Sequence, residues 1–350
     1  MSDTRRLTEL DGMRGLAALF VFMSHLKLAL PDPNPLHNLS ALEMFWGGQS
    51  AVDFFFVLSG FVLALPFMRD PSMTAGLRFY GRFVLLRIAR IYPAYWFALL
   101  FSLAAMKLFV PAGLSETGSW AQTFWLNGWD NVTLPVLVRH FLLIPDFDSR
   151  LIDPVSWTLV VEMRMSLLLP LLIYAFARWG GRVGSPFLLL LALLSARQSE
   201  FFRYLPLFAL GVALARHRLN IRPGPMFWCL LPIALLAYSS PYILHLGRPR
   251  DDYIAAAGAA LLIVMALQPT AFGAFLKSAP VHFLGRVSYS FYLLHLPAFL
   301  LLLSWLHPRL HSVTAVFFVT LPVVCLLSWL SFRFIERPTL RAARRSYQSA

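Results

Sequence analysis

The sequence predicts an all-α polytopic membrane protein of about ten transmembrane helices, with both termini cytoplasmic. Three observations carry that expectation. Of the 350 residues, 58% are hydrophobic and only 13% charged, against roughly 25% charged in an average soluble domain. The apolar residues come in repeated solid blocks rather than alternating with period two, which selects helices over a barrel, the other backbone arrangement that lipid tolerates. The basic residues gather on alternate connecting segments, as topology requires.

With about 20 apolar residues needed per crossing, the windows are 12–30, 51–68, 92–110, 155–176, 184–197, 201–215, 226–244, 253–267, 287–305 and 313–335. The first follows Arg5 and Arg6, as a signal peptide would. Asp11 and Arg14 interrupt its start, however, and no small-x-small cleavage site precedes Pro31, so it reads as a retained span. The second has Ser59 and Gly60 inside it. Between the second and third stands a basic inner loop, Arg78, Arg82, Arg87 and Arg90, running up to Tyr92-Pro93. The third leads into the longest outer loop, 111–154, with Trp120, Trp125, Trp129, Asp130, Asp146, Asp148 and Asp153. That loop reads either as an acceptor-side lid or as an interfacial aromatic belt.

The fourth window carries Glu162. The fifth is the shortest, its apolar heart running from Pro186 to Ala196, so a re-entrant segment is the alternative there. Charge decides for ten. With the N-terminus inside, 19 of the 30 basic residues fall on inner segments, and dropping the fifth span sends most of the downstream ones outside. The seventh and tenth windows hold Cys229 and Cys325, small core hydrophobes with neither disulfide nor zinc spacing. The ninth holds His295. The chain therefore reads as one membrane domain, 1–345, with a short tail, 346–350. The net charge of +13 is mainly the topological bias, so the lipid bilayer is the implied partner and nucleic acid is not.

Ionisable groups inside spans are costly and are functional candidates until a bland partner is found. Arg14 and His25 are eleven residues apart, within about 20° on one helical face and roughly 16 Å apart along the axis. That spacing joins a cytoplasmic anion site to an acid/base group near mid-membrane; the ordinary alternative is a snorkelling arginine and a histidine satisfied by a neighbouring helix. Glu162 lies about 10 Å from the outer face and Ser59 about 13 Å, a depth comparable with His25. Gly60 permits a close approach by ligand or by backbone. His295 reads as a satisfied structural histidine, since Pro297 frees a carbonyl one turn back. Arg87 and Arg90, at i and i+3, share a face, and guanidinium forks suit phosphate oxygens. The alternative is that they only set topology.

Leu10-Asp11-Gly12-Met13-Arg14-Gly15, His25, Phe55-Phe56-Val57-Leu58-Ser59-Gly60 and Arg87-Ile88-Ala89-Arg90-Ile91-Tyr92-Pro93 stand in that order. They continue with Ser156-Trp157-Thr158-Leu159-Val160-Val161-Glu162, Leu284-Gly285-Arg286-Val287-Ser288-Tyr289-Ser290 and Ile335-Glu336-Arg337-Pro338. In motif and order this resembles the integral-membrane acyltransferase-3 family over nearly the whole chain. The resemblance implies a multi-pass bacterial inner-membrane enzyme that moves an acyl group, usually acetyl, from cytoplasmic acyl-CoA to a hydroxyl of a glycan, lipid-linked sugar or small molecule. It implies activity roles for Arg14 and His25 and a coenzyme A contact for Arg87 and Arg90. Two departures stand out. Met163-Arg164-Met165-Ser166 follows Glu162 where the family more often has an amide and aromatics, and no hydrolase-like extracytoplasmic segment stands within these 350 residues.

The expected mechanism places Arg82, Arg87 and Arg90, with Arg14 as a further contact, on the coenzyme's phosphates, and Ser59 and Gly60 beside the acyl-CoA. His25 is the base, and Glu162 orients or charge-stabilises it. An acyl-histidine is the other route. Acyl-CoA is a co-substrate; no tightly bound cofactor and no metal is expected. A secondary transporter with a His25/Glu162 proton relay is the competing class, but no inverted halves are visible. A lipid-binding scaffold leaves His25, Ser59 and Glu162 unexplained.

Overall fold

The computed structural model describes residues 7–31, 43–69, 77–125, 128–144, 147–197, 202–217, 219 and 221–348. Arg5, Arg6, Asp146 and tail residues 349–350 lie outside these, as does the Arg78 side chain. Among the described residues the secondary structure is helical, without strands. The helices of eight residues or more are α1 (Thr8–Ala29), α2 (Gly48–Arg69), α3 (Leu77–Leu108), α4 (Leu134–Leu142), α5 (Trp157–Trp179), α6 (Gly184–Ala196), α7 (Leu205–His217), α8 (Pro225–Tyr238), α9 (Arg250–Ala266), α10 (Ala279–Leu310), α11 (Val313–Ser331) and α12 (Arg337–Gln348). A π-turn, Phe332–Glu336, joins the last two.

Each of the ten windows falls on a helix. Among the described residues, five stretches are long and apolar enough to cross a membrane by length and composition: Gly48–Met68, Phe79–Leu108, Trp157–Trp179, Ala279–Leu310 and Val313–Ala343. Gly184–Ala196, Leu205–His217 and Pro225–Tyr238 are shorter apolar helices. The basic stretch expected as an inner loop is instead the first part of α3, which runs unbroken through Pro93. Its Arg and Leu residues are good helix formers, and one proline is tolerated in such a helix.

The chain forms two compact units. The first comprises 1–17, 41–84 and 164–286. Here α2 packs against α7 and α9, and α9 against α8. Glycine sets the closest approach: a Cβ on Gly60 would stand 2.2 Å from the Phe208 carbonyl oxygen, and one on Gly211 would stand 2.1 Å from that of Val57. At the start of α1, Gly15 and Gly285 meet in the same way, a Cβ on Gly285 falling 2.3 Å from the Asp11 carbonyl oxygen. Close contact between small residues is how apolar helices associate without a hydrophobic driving force.

The second unit comprises 18–40, 85–163 and 287–350. Within its long connection, α4 is tied down against α3. The last carbonyls of α4 have no intrahelical donors, and α3 supplies them: Tyr95 Oη donates to the His140 carbonyl at 2.7 Å, Trp96 Nε1 to Phe141 at 2.9 Å and Tyr92 Oη to Leu142 at 2.8 Å. Tyr92, Tyr95 and Trp96 share one helical face, so one stripe of α3 caps α4. The C-terminal end of α4 therefore lies beside residues 12 to 16 positions short of the end of α3, about 18–24 Å along its axis.

Candidate active site

In the second unit His25 of α1 meets His295 of α10. Their Nδ1 and Nε2 atoms are 3.0 Å apart, the ring planes differ by 9° and the centroids are 5.0 Å apart. An N···N separation closer than the about 3.5 Å of stacked non-bonded atoms, between nearly parallel rings, means that they meet edge to edge. His295 is fully buried. Its own Nδ1 lies 3.2 Å from the Phe291 carbonyl oxygen, not the Leu293 carbonyl that Pro297 leaves without its helical donor. Phe22, one turn before His25 on α1, packs edge-on against the His295 ring at 5.6 Å and against Phe299 at 5.7 Å.

From the connection before α5, residues 118–120 close over the other side of His25. Gly118 N donates to the Ala29 carbonyl at 2.8 Å, and a Cβ on Gly118 would stand 2.6 Å from the carbonyl oxygens of both Leu28 and Leu30. Glycine lets the loop lie directly on the end of α1. Two residues on, the Trp120 ring stacks on His25 at 5.0 Å and 22°. Farther along, Trp125 Nε1 donates to the Ile152 carbonyl at 3.0 Å. Asp153, in the connection before α5, is fully buried. Its Oδ1 accepts from Val155 N at 3.3 Å, and burial pushes its carboxyl up to about 7.

The sign of the resulting pH effect is fixed. The folded loop keeps a proton that the unfolded chain gives up between about pH 4 and pH 7, so the stability of this segment falls as pH rises through that window and levels off above it. Thermal unfolding of the detergent-solubilised protein should show Tm declining from pH 5 to pH 7.5. Asp153→Asn should lose that part of the slope, and an identical slope in the variant would reject the assignment.

A layer of ion pairs lies near the histidine pair in sequence along α10. Arg87 donates to Glu162, and Arg90 Nη1 lies 2.5 Å from Glu336 Oε2. Glu336 is fully buried and accepts from Ser290 Oγ, which also bonds Ser331 Oγ at 2.8 Å. The Arg90 guanidinium sits 5.0 Å over the Tyr289 ring, whose Oη donates to the Ile91 carbonyl at 2.8 Å. The π-turn, a local widening often found at functional sites, is what carries Glu336. Ser290 and His295 are five residues apart on α10, about 7.5 Å along its axis. Removing Glu336 strands a largely buried guanidinium, a change that costs about 3 kcal/mol or more. Glu336→Ala should lower Tm by several degrees in detergent, and an unchanged Tm would show that water reaches this pair.

The structure thus joins Arg87 to Glu162, but the ring partners of His25 among the described residues are His295 and Trp120 rather than Glu162. Arg87 and Arg90 share a face, as their spacing implies, yet both are engaged by carboxylates. Arg82 is exposed on the first turns of α3. Arg14 lies in the first unit on α1, 3.6 Å from Asp11. Ser59 is half-buried on α2, and Gly60 faces the Phe208 carbonyl as described above.

Sequence reasoning gave no role to Glu336, treated His295 as structural, and missed a buried polar cluster in the first unit. There Asp252 lies 3.8 Å from Arg203 and 3.5 Å from Arg248, and Asp53 accepts from Gln49 Nε2 at 3.1 Å. The one available signal for these was a charge placed at a helix end beside an apolar block.

Helices of membrane-spanning length accompany a histidine pair, one ring buried and the other half-buried, in a chain whose family is known. Residues 7–332 match the family model described as an acyltransferase domain, and the chain belongs to the acyltransferase-3 family. It is similar to nodulation protein 10 of Rhizobium leguminosarum bv. viciae, 28% identical over 62% of this chain and 56% of that protein. It is similar to the O-acetyltransferase OatA of Staphylococcus aureus (strain COL), 23% identical over 97% of this chain and 58% of OatA. The acyltransferase MdmB of Streptomyces mycarofaciens is 31% identical over 47% of this chain and 39% of MdmB. The chain therefore spans little more than half the length of the first two relatives. No solved structure matches it.

Proposed function

We propose that this chain is a membrane-embedded O-acyltransferase, with His25 as the base, moving an acyl group, acetyl in the first instance, from acyl-CoA to a hydroxyl of a glycan, lipid-linked sugar or small molecule. The observation that carries this is the His25 imidazole, built into a family-matched membrane fold by two ring contacts. An O-acetyltransferase and an acyltransferase among the relatives support the same reaction class. His25 takes the acceptor's hydroxyl proton as its oxygen attacks the thioester carbonyl. Collapse of the tetrahedral intermediate breaks the carbon–sulfur bond, and the imidazolium returns the proton to the coenzyme's thiolate.

The proposal includes ten crossings of a bacterial inner membrane with both termini inside, which puts Arg14, Arg82, Arg87 and Arg90 towards the cytoplasmic donor. A guanidinium has five N–H donors, so Arg87 and Arg90 can hold a phosphate oxygen while keeping Glu162 and Glu336. The double variant Arg87→Met/Glu162→Gln removes both charges of one pair and leaves none stranded. It should raise the acyl-CoA Kd about tenfold or more; a stable double variant with unchanged Kd would leave the pair a purely structural role.

The reaction itself is tested with purified protein and labelled acetyl-CoA. Acceptor-dependent release of CoA is expected, and its absence with extracts that contain the natural acceptor would overturn the reading. O-acyl groups on cell-surface glycans and lipids, compared with and without the gene, identify the acceptor.

A further inference from the structure

The hydrogen bonding around His295 fixes where its protons sit. A carbonyl oxygen only accepts, so the contact with Phe291 requires the proton on His295 Nδ1. The fully buried ring has no carboxylate among its described partners, so the neutral ring is the form that fits. Its Nε2 then presents a lone pair, and that atom is the one 3.0 Å from His25 Nδ1. The proton of this second bond therefore belongs to His25. The reverse arrangement, with His295 donating from Nε2, sets a nitrogen lone pair against the Phe291 carbonyl oxygen.

We infer that His295 is the positioning residue of the acyl transfer, holding His25 in the Nδ1–H tautomer so that its Nε2 is the base. This rests on the reading of His25 as the base and names the atom that does the work. The relay runs Phe291 carbonyl, His295, His25, acceptor hydroxyl. It assigns to a neutral imidazole the tautomer-fixing task that a carboxylate performs in serine hydrolases, and it removes that task from Glu162, which is held by Arg87. When His25 Nε2 takes the hydroxyl proton, the Nδ1–H bond to His295 stays in place and strengthens, because its donor is now charged. The Trp120 face against the same ring adds a cation–π contact to that state only. Both interactions favour the transition state over the ground state, which is what accelerates the step. The edge-on packing of Phe22 against His295 keeps the acceptor ring from turning.

Two variants and one spectrum test this. His295→Phe keeps a ring but offers His25 no acceptor, whereas His295→Gln places an amide oxygen near the former Nε2. For His295→Phe we expect kcat to fall about 10²-fold while the KM values for acyl-CoA and acceptor stay within about twofold. His295→Gln should recover at least a tenfold part of that loss. Nitrogen-15 spectra of histidine-labelled wild-type protein, with the His25 signals assigned by their disappearance in His25→Ala, should show the His25 proton on Nδ1. In His295→Phe it should be shared with Nε2. A wild-type His25 proton on Nε2 overturns the inference even if neither variant folds, and so does unchanged kcat in a folded His295→Phe or a Gln variant no better than Phe. Transfer surviving in His25→Ala overturns the function reading instead, and a wild-type proton on Nδ1 would still stand as the hydrogen-bonding assignment.

Discussion

His25→Ala should reduce kcat for acyl transfer by about 10³-fold or more, within the range that loss of a positioned general base produces, with acyl-CoA binding within about twofold of the parent. The substitution deletes the imidazole at the end of the relay and leaves Arg82, Arg87 and Arg90 untouched, so donor binding and chemistry should separate. The two measurements are steady-state transfer and equilibrium binding on protein whose Tm matches the parent. Near-normal transfer in such a preparation would sink the base assignment. A companion experiment divides the two roles open to the ring. A general base needs the acceptor before the thioester breaks, so mixing enzyme and acyl-CoA alone releases no CoA. A histidine nucleophile releases one equivalent in a burst and holds the acyl group on nitrogen. The edge-to-edge hydrogen bond at Nδ1 leaves Nε2 as the atom for either role.

Much of the helical plan was legible because it depends on local pattern. Apolar blocks of membrane length placed a helix under every window, and the cost of an ionisable group in such a block drew attention to Arg14, His25 and Glu162. What sequence could not supply was pairing. His25 and His295 are 270 positions apart and Arg90 and Glu336 are 246 apart; no periodicity within one helix reports which residue of another lies opposite it. Depth alone made Glu162 a reasonable partner for His25, yet depth fixes one coordinate of three, and the second unit turns Glu162 towards Arg87. The basic stretch before Tyr92-Pro93 misled for a related reason. Charge density argues for a loop, but arginine is a strong helix former, and an arginine face that meets carboxylates is stable inside α3. Glycine in a motif was also ambiguous. Gly12, Gly15, Gly60 and Gly285 mark close approaches, and only the partner backbone tells whether the approach is by ligand or by helix.

Gly60 allows that ambiguity to be resolved with a large effect. Gly60→Ala should lower stability by about 3 kcal/mol or more, at the upper end of overpacking costs, because the added Cβ falls 2.2 Å from the Phe208 carbonyl oxygen and 3.0 Å from that residue's Cα. The obstructing atoms are backbone, so no rotamer change relieves them and α2 must move away from α7. The reciprocal contact of Gly211 with Val57 and Phe61 means that the same shift also loosens the opposite side of the crossing, so Gly211→Ala should be similarly damaging and the double variant less than additive. Gly81 provides the internal control. It lies in α3, and a Cβ added there would meet nothing within 4 Å, so Gly81→Ala should leave Tm unchanged or raise it slightly through helix propensity, by up to about 1 kcal/mol. The comparison also decides between the two readings of Ser59-Gly60. If these residues line the acyl-CoA path, Gly60→Ala loses acyl-CoA binding at an unchanged Tm and Ser59→Ala weakens binding as well. If Gly60 is the α2–α7 crossing point, Tm falls and Ser59→Ala leaves the Kd within about twofold. The distances to the Phe208 backbone favour the second outcome.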